Sequence, residues 1–207
     1  CAEYLKFSET IKILRIRGDA MQNSVPRGEG GMIAILGSKI DVIEKILEDN
    51  SNRLSVEIAN DNSEGQIVIS GKKIDLEILT EILKENSIKN LKLPVSAPFH
   101  SKLMNKATNI MKKEIDKLNF QDGNNTLISN VTANEIENKD DLKKLLIEQI
   151  ESRVRWRESV IYMISKGIKQ FVEIGPGKVL SGLVKRIDRQ IEINTINDQN
   201  DIKNLKI

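Results

Sequence analysis

One segment of this 207-residue chain leaves few folds open, because six apolar stretches follow one another between residues 32 and 95 in a regular order. Strand-like stretches occupy Met32–Leu36, Leu54–Ala59, Gln66–Ser70 and Asn90–Val95. Stretches with helical spacing of apolar residues occupy Lys39–Glu48 and Ile74–Asn86. A turn cluster, Asn60–Gly65, separates the second and third strands. The order β-α-β-β-α-β predicts a ferredoxin-like subdomain over residues 32–95.

The flanking regions, 1–31 and 96–207, predict a second α/β unit that forms the larger core. A helix is expected from about Phe7 to Met21, with Ser8 as its N-cap. Further helices are predicted at Ser101–Phe120, Asp140–Glu151, Glu158–Lys166 and Val179–Ile187. Strands are predicted at Thr126–Val131, Phe171–Ile174 and Ile191–Ile196. This alternation of strands and helices predicts a parallel sheet covered on both faces.

Composition excludes several classes of protein. The 32 basic and 30 acidic side chains give a net charge of +2, which is unlike the clustered basic excess of nucleic-acid-binding proteins. RNA-binding domains share the ferredoxin-like order, but they display stacking aromatics on central strands, and Gln66–Ser70 has none. No apolar run approaches the ~18 residues of a membrane span. We therefore expect neither a nucleic acid nor a membrane as partner.

The cysteine and histidine content limits redox and metal chemistry. One cysteine cannot form an internal disulfide, which is typical of a protein from a reducing cytoplasm. One cysteine and one histidine are too few for a zinc site of the usual ligand types, so no metal is predicted. The cysteine is the first residue, Cys1, and three explanations compete for it: an acylated lipoprotein terminus, an N-terminal nucleophile, or a piece of a longer chain.

His100 is the only histidine, and it lies in the turn-prone stretch Leu93–Ser101 just before the predicted 101–120 helix. Histidine is the side chain whose ordinary pKa lies nearest physiological pH, so any histidine acid–base chemistry in this chain must use His100. The alternative is a hydrogen-bonded loop histidine without a chemical role.

Arg17 is placed on the apolar face of the first predicted helix. Ile13, Leu14, Ala20 and Met21 stand three or four residues from it, whereas Arg15 has Asp19 as an i+4 partner. A guanidinium on an apolar stripe needs an anion, an internal carboxylate, or a route for its head group to reach water. The anion of the first alternative would be a substrate carboxylate, which a guanidinium binds through two parallel hydrogen bonds.

The Gly175–Lys178 stretch has some likeness to a phosphate-binding loop. Its spacing matches neither the P-loop nor the G-x-G-x-x-G pattern, because position 180 is leucine. We interpret it as a tight turn between a strand and a helix.

Three ordered stretches resemble the malonyl-CoA:acyl carrier protein transacylase family. Ile16–Gln22 with Val25 and Pro26 is similar to the family's carboxylate-binding segment. Leu93–Ser101 is similar to its catalytic-histidine segment, and Glu173–Leu180 to its C-terminal strand, turn and helix. Asn60–Gly71 and Val154–Trp156 also fit, so the resemblance extends over essentially the whole chain.

The resemblance implies an α/β fold with a ferredoxin-like insert in an α/β-hydrolase-like core, here partial and incomplete at the N-terminus. It also implies malonyl transfer from malonyl-CoA to the phosphopantetheine thiol of acyl carrier protein in fatty acid biosynthesis, without a cofactor. The family's serine nucleophile stands in a G-H-S-x-G motif that these residues do not contain. The expectation is therefore that the serine lies outside this chain, on an N-terminal segment or a separate fragment, and that the isolated chain is inactive.

Site residues follow from the resemblance position by position. His100 matches the general base and acid, and Arg17 matches the residue that binds the malonyl carboxylate. Phe99 matches a position at which phenylalanine is associated with selection of malonyl over branched extender units. Met21 is a candidate pocket wall, with core packing as the alternative. Gln149 matches the position whose backbone carbonyl orients the imidazole, with an ordinary helix residue as the alternative.

A carrier-protein docking patch is the last candidate site. Acyl carrier proteins are acidic, and the C-terminal helix region offers four cations: Lys178, Lys185, Arg186 and Arg189. The alternative is a solvated helix face. Two other functions compete with the transacylase: a module that only binds carrier protein or CoA thioesters, and a catalytically dead fragment.

Overall fold

The computed structural model describes residues 2–205, so Cys1 and the expectation of an N-terminal nucleophile lie outside the described residues. Its helices are α1 Phe7–Gln22, α2 Ile40–Asp49, α3 Lys73–Glu85, α4 Asn105–Ile115, α5 Lys139–Glu148, α6 Trp156–Ser165, α7 Val179–Ile187 and α8 Gln199–Asn204. Its strands are β1 Gly30–Leu36, β2 Val56–Ser63, β3 Gln66–Lys72, β4 Lys89–Lys92, β5 Gln170–Ile174 and β6 Glu192–Ile196.

Strands β1 to β4 form one antiparallel sheet in the order β2-β3-β1-β4, with α2 and α3 in the connections. The predicted β-α-β-β-α-β order is therefore confirmed. Ile35, Ile67 and Ile69 on the central strands are buried against apolar side chains of both helices. Successive residues of a strand point to opposite faces, so the face that carries these isoleucines packs on α2 and α3. The other face does not pack on these helices and can contact other parts of the molecule.

The predicted turn at 60–65 is wrong in its extent. Strand β2 continues through Asn60, Asp61 and Asn62 to Ser63, and only Glu64 and Gly65 form the turn to β3. Turn-prone residues are held extended here because β2 pairs with β3 and also forms a parallel bridge from Asn60 to Val154. Tertiary pairing therefore overrides the local preference of these residues.

The remainder of the chain has fewer strands than predicted. Among the named strands of residues 2–205, only β5 and β6 pair in parallel, so the structure is a mixed α/β fold with a mostly antiparallel sheet and a small parallel one. The predicted parallel sheet is present within residues 2–205 as these two strands, and Val172 and Ile174 of β5 are exposed. Residues 126–131 form a single bridge from Ile128 to Glu135 rather than a strand, because Ser129 and Ala133 close a local turn.

Several helix ends also differ from prediction. Helix α1 begins at Phe7 after Lys6, so Ser8 is inside the helix and does not cap it. The predicted 101–120 helix is a 3₁₀ turn at Lys102–Met104 followed by α4, which ends at Ile115. Helix α4 packs against α1 and α5 through Met104, Met111 and other side chains of one apolar cluster. This packing fixes the helix that carries Arg17 beside the segment that carries His100.

Within residues 2–205, no helix has both the length and the apolar content that a membrane crossing needs.

Candidate active site

A cleft of about 580 Å³ lies between α1, the polar-lined face of the four-stranded sheet and the 93–100 segment. Both His100 and Arg17 line it. The other lining residues are Gly18, Met21, Gln22, Met32, Asn60, Asn62, Val68, Leu93 and Phe99. The two side chains that the sequence selects for chemistry are thus brought to one cavity from separate parts of the chain.

His100 is held in a defined orientation. Its Nδ1 lies 2.9 Å from the backbone oxygen of Gln149. A carbonyl oxygen can only accept a hydrogen bond, so Nδ1 carries the proton and donates it, and Nε2 of the neutral ring keeps a free lone pair. The Gln149 contact expected from the resemblance is therefore present.

The backbone at His100 supports the same geometry. Its φ is +56°, in the left-handed region that residues other than glycine adopt infrequently, although asparagine, aspartate and histidine do so more often than the rest. The hydroxyl of Ser101 donates to the carbonyl of Pro98 at 2.7 Å and closes the loop around the histidine. Such strained residues are concentrated at functional sites, where neighbouring contacts stabilise them.

The surroundings of His100 favour the neutral ring. Burial lowers its pKa from the ordinary value of 6.5, and the positive charge of Arg17 lowers the pKa further. Hydrogen bonds with the backbone of Gln149 and Ser152 act in the opposite direction, and the pKa remains below its ordinary value. At neutral pH the ring is therefore neutral and able to accept a proton at Nε2.

Titration of the single histidine checks this environment directly. In NMR spectra of the 207-residue chain, we expect the one imidazole signal to titrate below 6.5. Replacing Arg17 with glutamine removes a neighbouring positive charge and should raise the pKa of His100. Because the unfolded chain binds this proton more readily, the free energy of unfolding should fall as the pH drops from 6.5 through the folded pKa.

Arg15→Gln is the matched control for that titration, since it removes a cation from the same helix. Arg15 is exposed and donates to Asp19 at 3.0 Å, as the sequence predicted. The control should leave the pKa of His100 unchanged. A His100 pKa at or above 6.5, or an equal response to both substitutions, would contradict the described site.

Arg17 is half-buried, and its side chain makes no hydrogen bond or ion pair within residues 2–205. Burial lowers the pKa of its guanidinium. Of the alternatives named above, the internal carboxylate is excluded among residues 2–205, because no carboxylate there contacts this cation. A guanidinium in a cleft without a partner is suited to receive an anionic ligand.

Met21 and Phe99 combine two roles. Met21 is buried in the cluster shared by α1 and α4, and it also lines the cleft. Phe99 packs against that cluster and against Met32 and Val68 on the sheet, next to His100. Met21 therefore belongs both to the core and to the lining of the cleft, and its role as a pocket wall for a ligand stays a prediction.

The polar side chains of β2 were missed as cleft residues. Asn60 and Asn62 line the cleft and are separated by Asp61, which is buried on the other face. Their i, i+2 spacing was the available signal, because alternate residues of a strand share a face. Assigning residues 60–65 to a turn concealed it.

The four cations of the proposed docking patch have different surroundings. The Lys185 ammonium donates to the carbonyls of Arg189 and Ile191 at 3.1 Å and 2.6 Å. Arg186 donates to the side chain of Gln66 and links α7 to β3. Lys178 and Arg189 are exposed. None of the four lines the cleft, and their role in docking remains a prediction.

The 175–178 stretch is a turn from β5 into α7, as predicted. Gly175 and Gly177 have φ values of +141° and +93°, which favour glycine. Glu173 accepts hydrogen bonds from the backbone NH groups of Leu180 and Ser181 at the start of α7. A carboxylate occupies this helix start, so the stretch does not serve as a phosphate loop.

Within residues 2–205, no group of three or more histidine, cysteine, aspartate and glutamate side chains is arranged to hold a metal ion.

Comparison with known proteins places the chain in a family. It is 41% identical over 201 residues to the malonyl CoA-acyl carrier protein transacylase of Bacillus subtilis, covering 96% of this chain and 63% of the relative. It is 36% identical over 204 residues to the protein of the same name from Staphylococcus aureus strain COL, covering 98% of this chain and 66% of the relative. The chain thus spans slightly less than two thirds of these relatives. No family-level sequence model matches it.

Solved structures agree with the sequence matches. An acyl carrier protein S-malonyltransferase from Vibrio cholerae superposes with a TM-score of 0.95 at 37% identity, over 100% of this chain and 68% of that one. The transacylase from Clostridium perfringens superposes with a TM-score of 0.94 at 35% identity, over 98% of this chain and 64% of that one. This chain therefore belongs to the malonyl-CoA:acyl carrier protein transacylase family.

Proposed function

We propose that this chain takes part in transfer of a malonyl group from malonyl-CoA to the phosphopantetheine thiol of acyl carrier protein, in the cytoplasm. The proposal rests on one observation: an oriented, neutral imidazole lies in the same cleft as a guanidinium that has no hydrogen-bond or ion-pair partner among the described residues. The first can move a proton, and the second can hold a carboxylate. Malonyl thioesters present a reactive carbonyl and a free carboxylate within one small group.

The proposed reaction has two halves. A serine hydroxyl attacks the thioester carbonyl while Nε2 of His100 accepts its proton, and the C–S bond then breaks. The departing CoA sulfur takes the proton from His100, and the malonyl group remains as a serine ester. In the second half, the carrier-protein thiol gives its proton to His100 and attacks the ester, and the serine oxygen receives the proton as it leaves.

Arg17 would select the acyl group. A malonyl carboxylate can accept two hydrogen bonds from the guanidinium, whereas an acetyl group leaves the half-buried cation without a partner. Rejection of a ligand that leaves a buried polar group unpaired is the strongest form of binding selectivity. Phe99 and Met21 would limit the space for branched acyl groups.

We place the serine outside these 207 residues, on an N-terminal segment or fragment. The support is the exposure of large apolar side chains: Phe7, Ile11 and Leu14 on α1, Ile174 at the end of β5 and Val179 at the start of α7. Phe7 is 80%, Ile174 70% and Val179 72% exposed, which is unusual for side chains of this size on two separate elements. Within this proposal, residues 1–31 and 96–207 contribute to an α/β-hydrolase-like core, and residues 32–95 are its inserted subdomain.

The proposed chemistry needs no cofactor, and its substrates are malonyl-CoA and phosphopantetheinylated acyl carrier protein. Among the proposed docking cations, Lys178 and Arg189 are exposed, and their side chains make no described hydrogen bond or salt bridge, although the charge of Lys178 lowers the pKa of Asp201. Both remain accessible to an acidic carrier. Lys185 and Arg186 would act mainly by holding the end of α7 in place.

Reconstitution tests the function. The chain is joined to the part of the Bacillus subtilis relative that precedes the matched region, and the product is incubated with radiolabelled malonyl-CoA and carrier protein. We expect labelled carrier protein from the joined protein and none from the 207-residue chain alone. A folded joined protein that forms neither a malonyl ester nor malonyl carrier protein would overturn the proposal.

Other outcomes favour the competing hypotheses. Retention of carrier protein by the 207-residue chain, with no transfer by the joined protein, would favour a binding module. A malonyl adduct on Cys1 of the chain alone would favour the N-terminal nucleophile. Absence of binding and transfer in both preparations would favour a dead fragment.

A further inference from the structure

Asp61 is a buried charge that forms an ion pair with Arg157. It stands between the cleft residues Asn60 and Asn62 in the sequence of β2, but its side chain lies on the opposite face of the strand and is 1% exposed. Arg157, in the first turn of α6, places Nε 3.0 Å from both carboxylate oxygens and Nη2 2.8 Å from Oδ2. This hydrogen bonding and the charge of Asp61 raise the pKa of Arg157.

Backbone hydrogen bonds join β2 to the segment before α6 next to this ion pair. The amide of Asp61 donates to the carbonyl of Val154 at 2.9 Å, and the amide of Val154 donates to the carbonyl of Ala59 at 2.7 Å. These bonds form a short parallel bridge between β2 and the segment that precedes α6. That segment is therefore attached to β2 at residue 154 through backbone and at residue 157 through side chains.

The attached segment also carries the acceptor for His100. Gln149, whose backbone oxygen binds Nδ1 of His100, lies five residues before Val154. The side chain of Gln149 donates to the carbonyl of Ser152 at 3.0 Å, which stiffens the connection between them. A shift of the segment along β2 would therefore move the oxygen that orients the imidazole.

A stability role alone does not account well for this arrangement. Buried ion pairs often add little net stability over apolar replacements, because desolvation of the two charges offsets their attraction. Their better-attested effect is to select one register of two packed elements. The backbone pairs β2 with this segment through a single bridge, at residue 154, so the contact of Asp61 with Arg157 adds a second point that defines the register on β2.

We propose that Asp61 and Arg157 are positioning residues, which set the register of residues 149–157 on β2 and thereby hold the Gln149 carbonyl against His100. They touch neither the proposed substrate nor the reacting atoms. The consequence for transfer rests on the proposed function, whereas the consequence for the imidazole does not.

The tautomer of His100 is the direct test. In ¹⁵N-labelled 207-residue chain at a pH where the ring is neutral, the two ring nitrogens report which one carries hydrogen. The unmodified chain should show the Nδ1–H form predominantly, because the Gln149 oxygen binds that hydrogen. The pair of substitutions Asp61→Asn with Arg157→Gln removes both charges without leaving a buried charge alone, and should shift the population substantially toward Nε2–H.

Matched variants separate positioning from a general structural effect. Arg153→Gln removes a cation of the same segment that pairs with Glu44 and Glu158 and does not reach Asp61, so the tautomer should stay Nδ1–H. Arg157→Lys keeps the charge but not the two-pronged geometry, and an intermediate shift is expected. If the paired variant does not fold, Arg157→Lys supplies the test.

An unchanged tautomer in a folded paired variant, or in Arg157→Lys when the paired variant does not fold, would overturn the inference. In the joined protein, the paired variant should lower kcat for malonyl transfer by up to about 100-fold with little change in KM, as misplacement of a catalytic group does. A tautomer shift without any transfer by the unmodified joined protein would support the positioning role and reject the proposed function.

Discussion

Replacing His100 with asparagine is expected to lower malonyl transfer by the joined protein by roughly 10²- to 10⁴-fold, the usual contribution of a positioned general acid–base group. Asparagine is the informative replacement because it tolerates a left-handed backbone, and His100 has a φ of +56°. The change removes the imidazole without imposing a new backbone strain. Rates of carrier-protein labelling at saturating malonyl-CoA provide the measurement.

The pH dependence of malonyl transfer tests the same prediction in a second way. Because burial and Arg17 lower the pKa of His100, transfer by the unmodified joined protein should remain high until the pH falls below 6.5. His100→Asn should lack that acidic decline. His100→Ala serves as the comparison, since it should lose the same activity and also lose stability through its φ. Retention of transfer within about threefold in a folded His100→Asn protein would remove His100 from the mechanism, because lost acid–base catalysis exceeds that factor.

Replacing Arg17 with glutamine is expected to change substrate choice more than it changes the fold. Loss of two charge-assisted hydrogen bonds to the malonyl carboxylate should raise the barrier by about 3 kcal/mol, or roughly 100-fold in kcat/KM for malonyl-CoA. Transfer from acetyl-CoA should stay level or increase, because the half-buried cation no longer lacks a partner. Competition between the two labelled thioesters measures the ratio directly.

Arg15→Gln is again the control for this experiment. It removes an exposed cation that pairs with Asp19, two positions from Arg17 on the same helix. It should leave the malonyl-to-acetyl preference intact. An equal loss of malonyl and acetyl transfer in Arg17→Gln would assign Arg17 to packing rather than to selection.

The fold of residues 32–95 was predictable because its signals are local. Apolar alternation in strands and helical spacing in α2 and α3 each depend on neighbouring residues, and the order β-α-β-β-α-β leaves few topologies. The end of β2 was not predictable in this way. Asn60, Asp61 and Asn62 have turn-forming preferences that pairing with β3 and Val154 overrides.

The parallel part of the fold was overestimated for a related reason. A short stretch that mixes apolar and polar residues, such as 126–131, is ambiguous without a partner strand, and Ser129 and Ala133 use their backbone groups in a local turn instead. Likewise, Ile174 and Val179 are apolar residues of the kind that is usually buried, yet both are exposed. Burial depends on which surfaces meet, and composition does not report that.

Sequence alone determined which residues can do the chemistry: one imidazole exists, at position 100, and Arg17 rather than Arg15 lacks a carboxylate one helical turn away. Tertiary structure alone decided that these groups share a cleft, that the Gln149 oxygen binds an imidazole 49 residues away, and that Asp61 meets Arg157 across 96 residues. The physical reason is the separation along the chain over which each effect acts. Spacing and composition act within a few turns of backbone, whereas burial, Coulomb attraction and hydrogen bonding join any groups that packing brings to contact distance.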